Sequence, residues 1–443
     1  MKKAGKLLLV LLLFFGTEEL IFSQEKLILT LDESIRLALS QNPFHLASKE
    51  KVDAANSMVR EAVSKYFPSL NAQGLHTLNE KLFVLEFPSF FPGQPAQRVS
   101  VDFTKDYQFA LSLSVPLFTG GKLKSGFKQA GYNLLSTKET VRQSEQETIF
   151  NVKRTFYGYL LAKKFVEVGE EAVNLAEKHH ENVKSLYEVG MASKFDLLRS
   201  EVQVANLKPQ LIKARNSLNV AELGLKTLLG LELNQPVEIK GKLTYKPYEA
   251  VIEENVARAL YNRPEINQLM YQKRMAGEML KLARASRMPN LALVGNYNWW
   301  ADKFNFKEDN WQNYYAVNLV MTVPIFNGFA TSARIGQSKA LIKEIELNQK
   351  GLSEMIKFEV RQAILNLKQA KESLFSQGKN VEQAQESVRI AELNFSEGLA
   401  TTLDVSSTQV ALTQAQTNYA QALFDYAVAL AQLEKAIGSQ IKR

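Results

Sequence analysis

Two aspartates have the most informative spacing among the ionisable residues of this 443-residue chain. Asp196 follows Ser193 by three residues, and Asp404 follows Thr401 by three. This is the spacing of a capping box, in which a hydroxyl and a carboxylate exchange hydrogen bonds with backbone N–H groups at a helix start. We therefore predict that each aspartate stabilises the first turn of its own helix.

The histidines and cysteines offer little further chemistry. His179 and His180 are adjacent, so on a helix they point to different faces and cannot share a metal ion as an i, i+4 pair would. His45 and His76 have no neighbouring ligands in the sequence, and the chain has no cysteine. It also contains no phosphate loop, nucleophile elbow or zinc helix motif. We predict a protein without catalysis and without a cofactor, in which His180 is a helix-packing position.

The composition is that of a folded, exported protein. Hydrophobic residues make up 46% of the chain, which allows a large core. Residues 1–23 are predicted to be a signal peptide, because three lysines precede the apolar run 7–15. No later apolar stretch reaches about 18 residues, which argues against a helical membrane protein. The net charge is +8, but acidic and basic residues are interspersed, so nucleic acid is not an expected partner.

The chain is an internal duplication. Identical residues recur at an offset of 208: Tyr107, Pro116, Phe118, Gly120, Phe150, Gly190, Asp196 and Gly230 recur as Tyr315, Pro324, Phe326, Gly328, Phe358, Gly398, Asp404 and Gly438. Upstream the offset is 221, so the first copy has 13 extra residues between 70 and 107, as expected of an exposed loop. We predict a first repeat at 24–230, a linker at 231–250, a second repeat at 251–438 and a tail at 439–443.

Each repeat is predicted to contain one very long helix. Residues 121–189 and 329–397 lack proline and carry apolar residues seven apart, such as Val360, Leu367 and Leu374, which is typical of left-handed coiled coils. Tight turns at Gly190 and Gly398 lead into returning helices of about 36 residues. We expect opening helices at 30–66 and 251–287 to stack end to end with the returning helices, beside the long ones.

Between these helices the apolar period changes from seven to two. Large apolar residues alternate with small or polar ones, as in strands of a membrane barrel. The predicted lipid-facing rows are Tyr107, Phe109, Leu111, Leu113 and Val115 in the first repeat and Tyr315, Val317, Leu319, Met321 and Val323 in the second. Four strands per chain cannot close a barrel, and lipid does not tolerate open edges, so closure requires further copies; three would give 12 strands.

These features resemble the TolC family of outer-membrane efflux and secretion channels. The resemblance is carried by residues 115–121 and 323–328 at the strand-to-helix junctions, and by residues 187–203 and 395–409 around the far turns. It implies mainly α structure with membrane β: a homotrimer whose duplicated antiparallel coiled coils form a periplasmic α-barrel under a 12-stranded β-barrel in the outer membrane. It also implies a periplasmic adaptor and an inner-membrane transporter as partners.

The resemblance also points to a closable mouth at the far turns. Asp404 matches the first acidic position of the family's constriction, while Ser407 stands at the second, and Ala400 and Phe395 replace the basic and tyrosine gate residues. Asp196, Lys194 and Arg199 of the first repeat are candidates for other pairs between protomers. The aspartates therefore have two compatible predicted roles, capping and gating or cation selection. The adaptor is expected to dock at Gly190 and Gly398.

The sequence thus predicts a passive exit duct in a tripartite efflux or type I secretion system. The alternative is a soluble periplasmic coiled-coil adaptor or scaffold, which would explain the heptads but not the duplicated alternating strands. Drugs, metal ions and secreted polypeptides all remain open as substrates.

Overall fold

A computed structural model of the protein describes residues 26–78, 83–89, 93, 95–101, 106–305 and 311–439. The predicted signal peptide and the tail beyond 439 lie outside these residues. In chain order the elements are β1 (Leu27–Leu29), α1 (Leu31–Gln41), α2 (Pro43–Ser64), β2 (Ser69–His76), β3 (Phe83–Phe87), β4 (Gln97–Val101), β5 (Tyr107–Phe118), α3 (Lys122–Glu188), α4 (Lys194–Leu229), β6 (Val237–Ile239), α5 (Ile252–Asn262), α6 (Pro264–Ala285), β7 (Asn290–Ala301), β8 (Gln312–Thr322), α7 (Ala330–Ser396) and α8 (Thr402–Ala436).

The structure confirms the two long helices that the heptad periodicity predicts. α3 and α7 each span 67 residues, or about 100 Å at 1.5 Å per residue. α3 packs antiparallel to α4, and α7 packs antiparallel to α8, while α3 also packs on α8 and so joins the two repeats. None of the helices in the described ranges is long and apolar enough to cross a membrane.

The prediction of one opening helix per repeat is wrong. Asn42 and Arg263 adopt extended backbone conformations before Pro43 and Pro264, so each opening segment becomes two helices. The pyrrolidine ring clashes with helical conformation in the preceding residue, which explains both breaks. Asn42 then caps α2 by accepting a hydrogen bond from the His45 N–H at 3.0 Å.

Each break is also the place where the opening and returning helices meet. The Asn42 side chain donates to the Leu228 carbonyl at 2.8 Å, near the end of α4. Gly230 approaches so closely that a Cβ there would lie 2.7 Å from the Gln41 carbonyl oxygen. Gly438 approaches the second break in the same way: a Cβ there would lie 3.1 Å from the backbone nitrogen of Arg263. Only α2 and α6 therefore continue the columns of α4 and α8, and α1 and α5 lie beside the joins.

The buried core surrounds these joins. In the first repeat Val152 and Phe156 of α3 pack against Leu225 and Leu229 of α4. In the second, Val360 and Leu367 of α7 pack with Tyr426 of α8, whose hydroxyl donates to the Lys246 carbonyl at 2.6 Å. The linker contributes β6, which pairs in parallel with β1. A cross-repeat ion pair, Lys153 with Glu434, is buried nearby.

The strands form one antiparallel sheet from both repeats. Its order is β2-β5-β7-β8, so β5 and β7 are central and β2 and β8 are edges. The extra residues of the first repeat, predicted as a loop, include a separate hairpin of β3 and β4. The ends of α2, α3, α6 and α7 adjoin the same end of the sheet. The turns after α3 and α7 lie at the far ends of these helices, which we call the distal end of the molecule.

Candidate aperture and docking site at the distal turns

Two glycines reverse the chain at the distal end. Gly190 (φ 79°) and Gly398 (φ 75°) adopt the left-handed conformation that closes a helix, a geometry that side chains disfavour. In the first turn the Met191 N–H donates to the Leu186 carbonyl at 2.8 Å, and in the second the Leu399 N–H donates to the Asn394 carbonyl at 2.7 Å. The residue after each glycine is an exposed apolar side chain, and the space above each glycine is open.

Both predicted capping boxes are present. The Asp196 N–H donates to Ser193 Oγ at 3.1 Å, and the Ser193 N–H and hydroxyl donate to Asp196 Oδ2 at 3.3 and 2.6 Å. In the second copy, the Thr401 N–H and hydroxyl donate to Asp404 Oδ2 at 2.8 and 2.7 Å. These bonds, the hydroxyl of Thr401 first, hold the pKa of the Asp404 carboxyl below its ordinary value. Asp404 is exposed, so its charge is available to solvent as well as to its helix.

The basic gate candidates and Ser407 contact residues of their own hairpins. The Lys194 ammonium lies 5.5 Å from the centre of the Tyr187 ring, and the Arg199 guanidinium lies 5.8 Å from the Phe195 ring. Such cation–π contacts at exposed sites contribute about 0.5–1 kcal/mol. The Ser407 hydroxyl donates to the Asp404 carbonyl at 2.9 Å. Pairing of these residues between protomers therefore remains a prediction.

A buried histidine joins the two hairpins, and sequence reasoning missed it. His179 of α3 is 6% exposed, and its ring packs edge-on against Phe395 at 5.0 Å. Burial lowers the pKa of His179, the neighbouring His180 lowers it further, and a hydrogen bond that the ring donates to the Thr402 backbone opposes both. His180 lies on the other face, with Nδ1 2.8 Å from Ser200 Oγ, in the packing role expected for it. The contact with Phe395 crosses between repeats, so no local sequence signal could reveal it.

The predicted lipid-facing rows lie on one face of the sheet. Across the ladder, Leu111 is opposite Tyr297, which is opposite Tyr315; Leu113, Gly295 and Val317 follow in the same register. Residues that are directly opposite each other project to the same side of a sheet, so the rows of β5 and β8 lie on the same face. Val323 lies one residue beyond β8. The other face carries Ser112, Asn296 and Ala316, and is small or polar there.

No group of three or more histidines, cysteines or acidic residues arranged to hold a metal ion occurs among the residues that the structure describes.

Comparison with known proteins identifies the family. The profile of the outer membrane efflux protein family matches residues 34–231 and 255–439, one segment for each repeat. The chain is 23% identical to outer membrane protein TolC of Vibrio cholerae over 307 residues, covering 67% of this chain and 68% of that protein. It is 23% identical to the pyoverdine export outer membrane protein OpmQ of Pseudomonas putida over 416 residues, covering 92% and 85%.

Solved structures share the fold at low sequence identity. Crystal structures of CusC match with a TM-score of 0.73 and 17% identity over 92% of both chains. The outer membrane protein VceC of Vibrio cholerae matches with a TM-score of 0.73 and 15% identity over 93% of this chain and 97% of that one. With helices, sheet and both copies of the motifs accounted for, the chain belongs to the outer membrane efflux protein family and is an outer-membrane efflux channel protein, of a family of channels and not of enzymes.

Proposed function

We propose that three copies of this chain form the passive exit duct of a tripartite efflux or type I secretion assembly, fed by an inner-membrane transporter through a periplasmic adaptor. One observation carries this proposal: within the described residues, the sheet ends in two unpaired edges, β2 and β8. In lipid, each unpaired backbone group costs several kcal/mol, so spanning sheets are closed barrels. Pairing β8 of one copy with β2 of the next removes both edges, and three copies of four strands lie within the known range of barrel sizes.

The faces of the sheet support the same proposal. The exposed row of β8 would face lipid, while the small and polar face would line water. The alternative, a soluble adaptor or scaffold, gives no reason for such a row. Family membership also favours the channel.

Cross-linking tests the closure directly. The chain has no cysteine, so each introduced thiol is unique. Within one chain β2 and β8 are three strand spacings apart, about 14 Å, too far for a disulfide. We expect Gln73→Cys on β2, combined with a single cysteine scanned along β8, to yield a covalent trimer at the matching register.

The matched control is Ser112→Cys with Asn296→Cys, which are directly paired within one chain. This pair should form an intrachain disulfide and no oligomer. If the control forms while no β8 position cross-links to β2, the closed trimer is wrong.

We further propose that the distal turns form the aperture and the adaptor-docking surface. Asp404 is exposed and carries a negative charge at neutral pH, so three copies would place a ring of negative charge at the mouth. Asp404→Asn should then reduce cation selectivity in planar bilayers, whereas Asp53→Asn, an exposed change on α2, should not. Unchanged conductance together with a lowered melting temperature would leave Asp404 with the capping role alone.

The docking surface is supported by the exposed side chains of Met191 and Leu399, which follow the two turn glycines. Replacing both with serine should weaken cross-linking to the adaptor, and Leu347→Ser, an exposed change on the shaft of α7, should leave it intact. Equal cross-linking by all variants would contradict docking at these turns.

A further inference from the structure

The net positive charge of the chain is concentrated at one level of the molecule. Four helix ends meet the sheet, and the segments that contain them are residues 57–67 at the end of α2, 121–130 at the start of α3, 278–289 at the end of α6 and 329–340 at the start of α7. Together they contain ten lysines and arginines but two glutamates, a net charge equal to the +8 of the whole chain. We call these ten residues the basic collar: Arg60, Lys65, Lys122, Lys124, Lys128, Lys281, Arg284, Arg287, Arg334 and Lys339.

Contacts between the helix ends place the four segments side by side next to the sheet. Lys122 Nζ donates to Asn290 Oδ1 at 3.3 Å, where β7 begins, and Arg287 donates to Ser332 Oγ at 2.8 Å in the first turn of α7. Lys65 and Lys122 line one groove, and Lys122 and Arg334 line the next. The collar therefore forms a continuous band immediately below the sheet.

Most of the collar charges are not explained by interactions within the chain. Lys124, Lys128, Arg284, Arg334 and Lys339 are exposed and form no salt bridge with any residue that the structure describes. Lys122 and Lys124 sit in the first turn of α3, where the helix dipole disfavours positive charge, and neither α3 nor α7 has an acidic residue in that turn. Side chains that break a local rule without a local gain point to a function elsewhere.

An exposed apolar cluster lies beside the collar. The alternating row of β8 continues past the strand to Ile325, which is 94% exposed, and is followed by Phe326 and Phe329, each 74% exposed. Phe329 has φ 63°, a strained conformation for a bulky residue, whereas the first repeat has Gly121 at the equivalent position. Glycine adopts this conformation without strain, so the fold alone does not require phenylalanine there.

We propose that this level of the protein is a docking surface for anionic phospholipids of the periplasmic leaflet of the outer membrane. The apolar cluster of Ile325, Phe326 and Phe329 occupies the boundary between acyl chains and headgroups, and the basic collar binds the phosphates below it. Basic clusters next to a membrane-embedded segment are typical sites for acidic lipids. The inference rests on the proposed insertion of the sheet in lipid.

A second copy of the chain does not supply the missing negative charge. Symmetry places the same collar at the same height in every protomer, so neighbours add like charge. A fixed negative charge that pairs with the collar would therefore come from outside the assembly. Phosphate headgroups satisfy that requirement at the height that the apolar row sets.

Lipid selectivity tests the collar. The protein is reconstituted in phosphatidylcholine vesicles with trace spin-labelled phosphatidylglycerol or phosphatidylcholine, and the motionally restricted fraction of each label is measured. We expect phosphatidylglycerol to be preferred about three- to fivefold at low salt. The preference should approach one in 1 M NaCl, where the Debye length is about 3 Å.

Charge-neutral variants assign the preference to the collar. Lys124→Gln, Lys128→Gln, Arg284→Gln and Lys339→Gln in combination should abolish it. The matched control, Lys184→Gln, Lys213→Gln, Lys368→Gln and Lys379→Gln, removes four exposed charges from the shaft and distal end and should retain it. No preference in the unmodified protein, or equal loss in both variants, would overturn the proposal.

Spin labels on single cysteines separate this inference from the function on which it rests. A label at Leu319→Cys should be relaxed by oxygen and not by a water-soluble nickel chelate, and a label at Phe329→Cys should show intermediate accessibility to both. Lipid exposure at 319 with a label at 329 that neither reagent reaches would mean that protein covers the apolar cluster, and the inference would fail alone. A water-exposed label at 319 would contradict the lipid-embedded sheet itself.

Discussion

The long helices of this protein begin differently at the two ends of the molecule. At the distal end, α4 and α8 start with capping boxes built by Ser193 and Thr401, and each has an aspartate in its first turn. At the sheet end, α3 and α7 each follow a residue in the left-handed conformation. Neither helix has a side-chain cap or an acidic residue in its first turn. All four helices belong to the same coiled-coil shaft, so packing does not explain the contrast.

The contrast indicates that the residues at each helix start suit the environment of that end of the molecule. The distal turns lie in water and must hold their own helix ends, which they do by hydrogen bonds within each hairpin. The sheet end has exposed apolar rows and two open strand edges, and several side chains of the basic collar form no salt bridge within the described residues. In the proposed assembly, lipid and sister copies complete this end.

The largest expected effect is at the sheet end. Leu319→Arg on β8 should impair insertion and lower the free energy of unfolding in vesicles by about 2–4 kcal/mol, the cost of a cation at the lipid midplane. Leu365→Arg, an equally exposed change on α7, should have little effect because the proposed assembly places the helical shaft in water. Denaturant titration of reconstituted protein measures both, and equal losses would remove the distinction between the two ends.

At the distal end the caps predict a moderate effect. Asp196→Ala and Asp404→Ala should each lower the melting temperature in detergent by about 2–4 °C, because each removes the reciprocal bonds of a capping box. The substitutions Lys122→Ala and Lys124→Ala at the uncapped start of α3 should not lower it. A distal variant as stable as the original protein would show that the capping boxes contribute nothing.

The distal end is also expected to be the more sensitive to acid. Because burial lowers the pKa of His179, the unfolded chain takes up a proton that the folded chain resists as pH falls below about 6.5. The free energy of unfolding should therefore decrease from pH 7 to 5.5. His45, buried at the join, acts in the same direction.

Substitution separates these two contributions. His179→Leu should reduce the pH dependence of the melting temperature, and adding His45→Leu should reduce it further. His76→Asn, an exposed change in β2, should retain the original slope. A slope unaffected by His179→Leu would mean that the hairpin contact does not resist protonation.

The smallest expected effect is on stability at the collar. Lys124→Gln with Lys339→Gln should change the free energy of unfolding in uncharged detergent by less than about 0.5 kcal/mol, since both side chains are exposed and unpaired within the described structure. Thermal unfolding checks this. A drop of several degrees would make the collar a structural feature and weaken its assignment to lipid.

Sequence reasoning recovered whatever repeats or is local. The offset of 208 residues predicted two copies, and the heptads predicted long helices that the structure bounds within one residue at each end. Alternation predicted the apolar rows of β5 and β8, and the three-residue spacing predicted both capping boxes. Apart from the repeat itself, each of these signals is local in the sequence.

The remaining features depend on contacts between distant segments. Pro43 and Pro264 were visible, but without the joins to Leu228 and Gly438 they did not indicate that α1 and α5 turn away from the columns. His179 meets Phe395 only because the two hairpins pack side by side. The basic collar was hidden for the same reason, since its charges come from four segments up to 280 residues apart and look interspersed along the sequence.

The mass of the purified protein tests the central claim most directly. The sheet end is incomplete in one chain, so native mass spectrometry of the detergent-solubilised protein should give three chains per particle, and removal of detergent should cause precipitation. A single chain that remains dissolved and folded in detergent-free buffer would contradict the account.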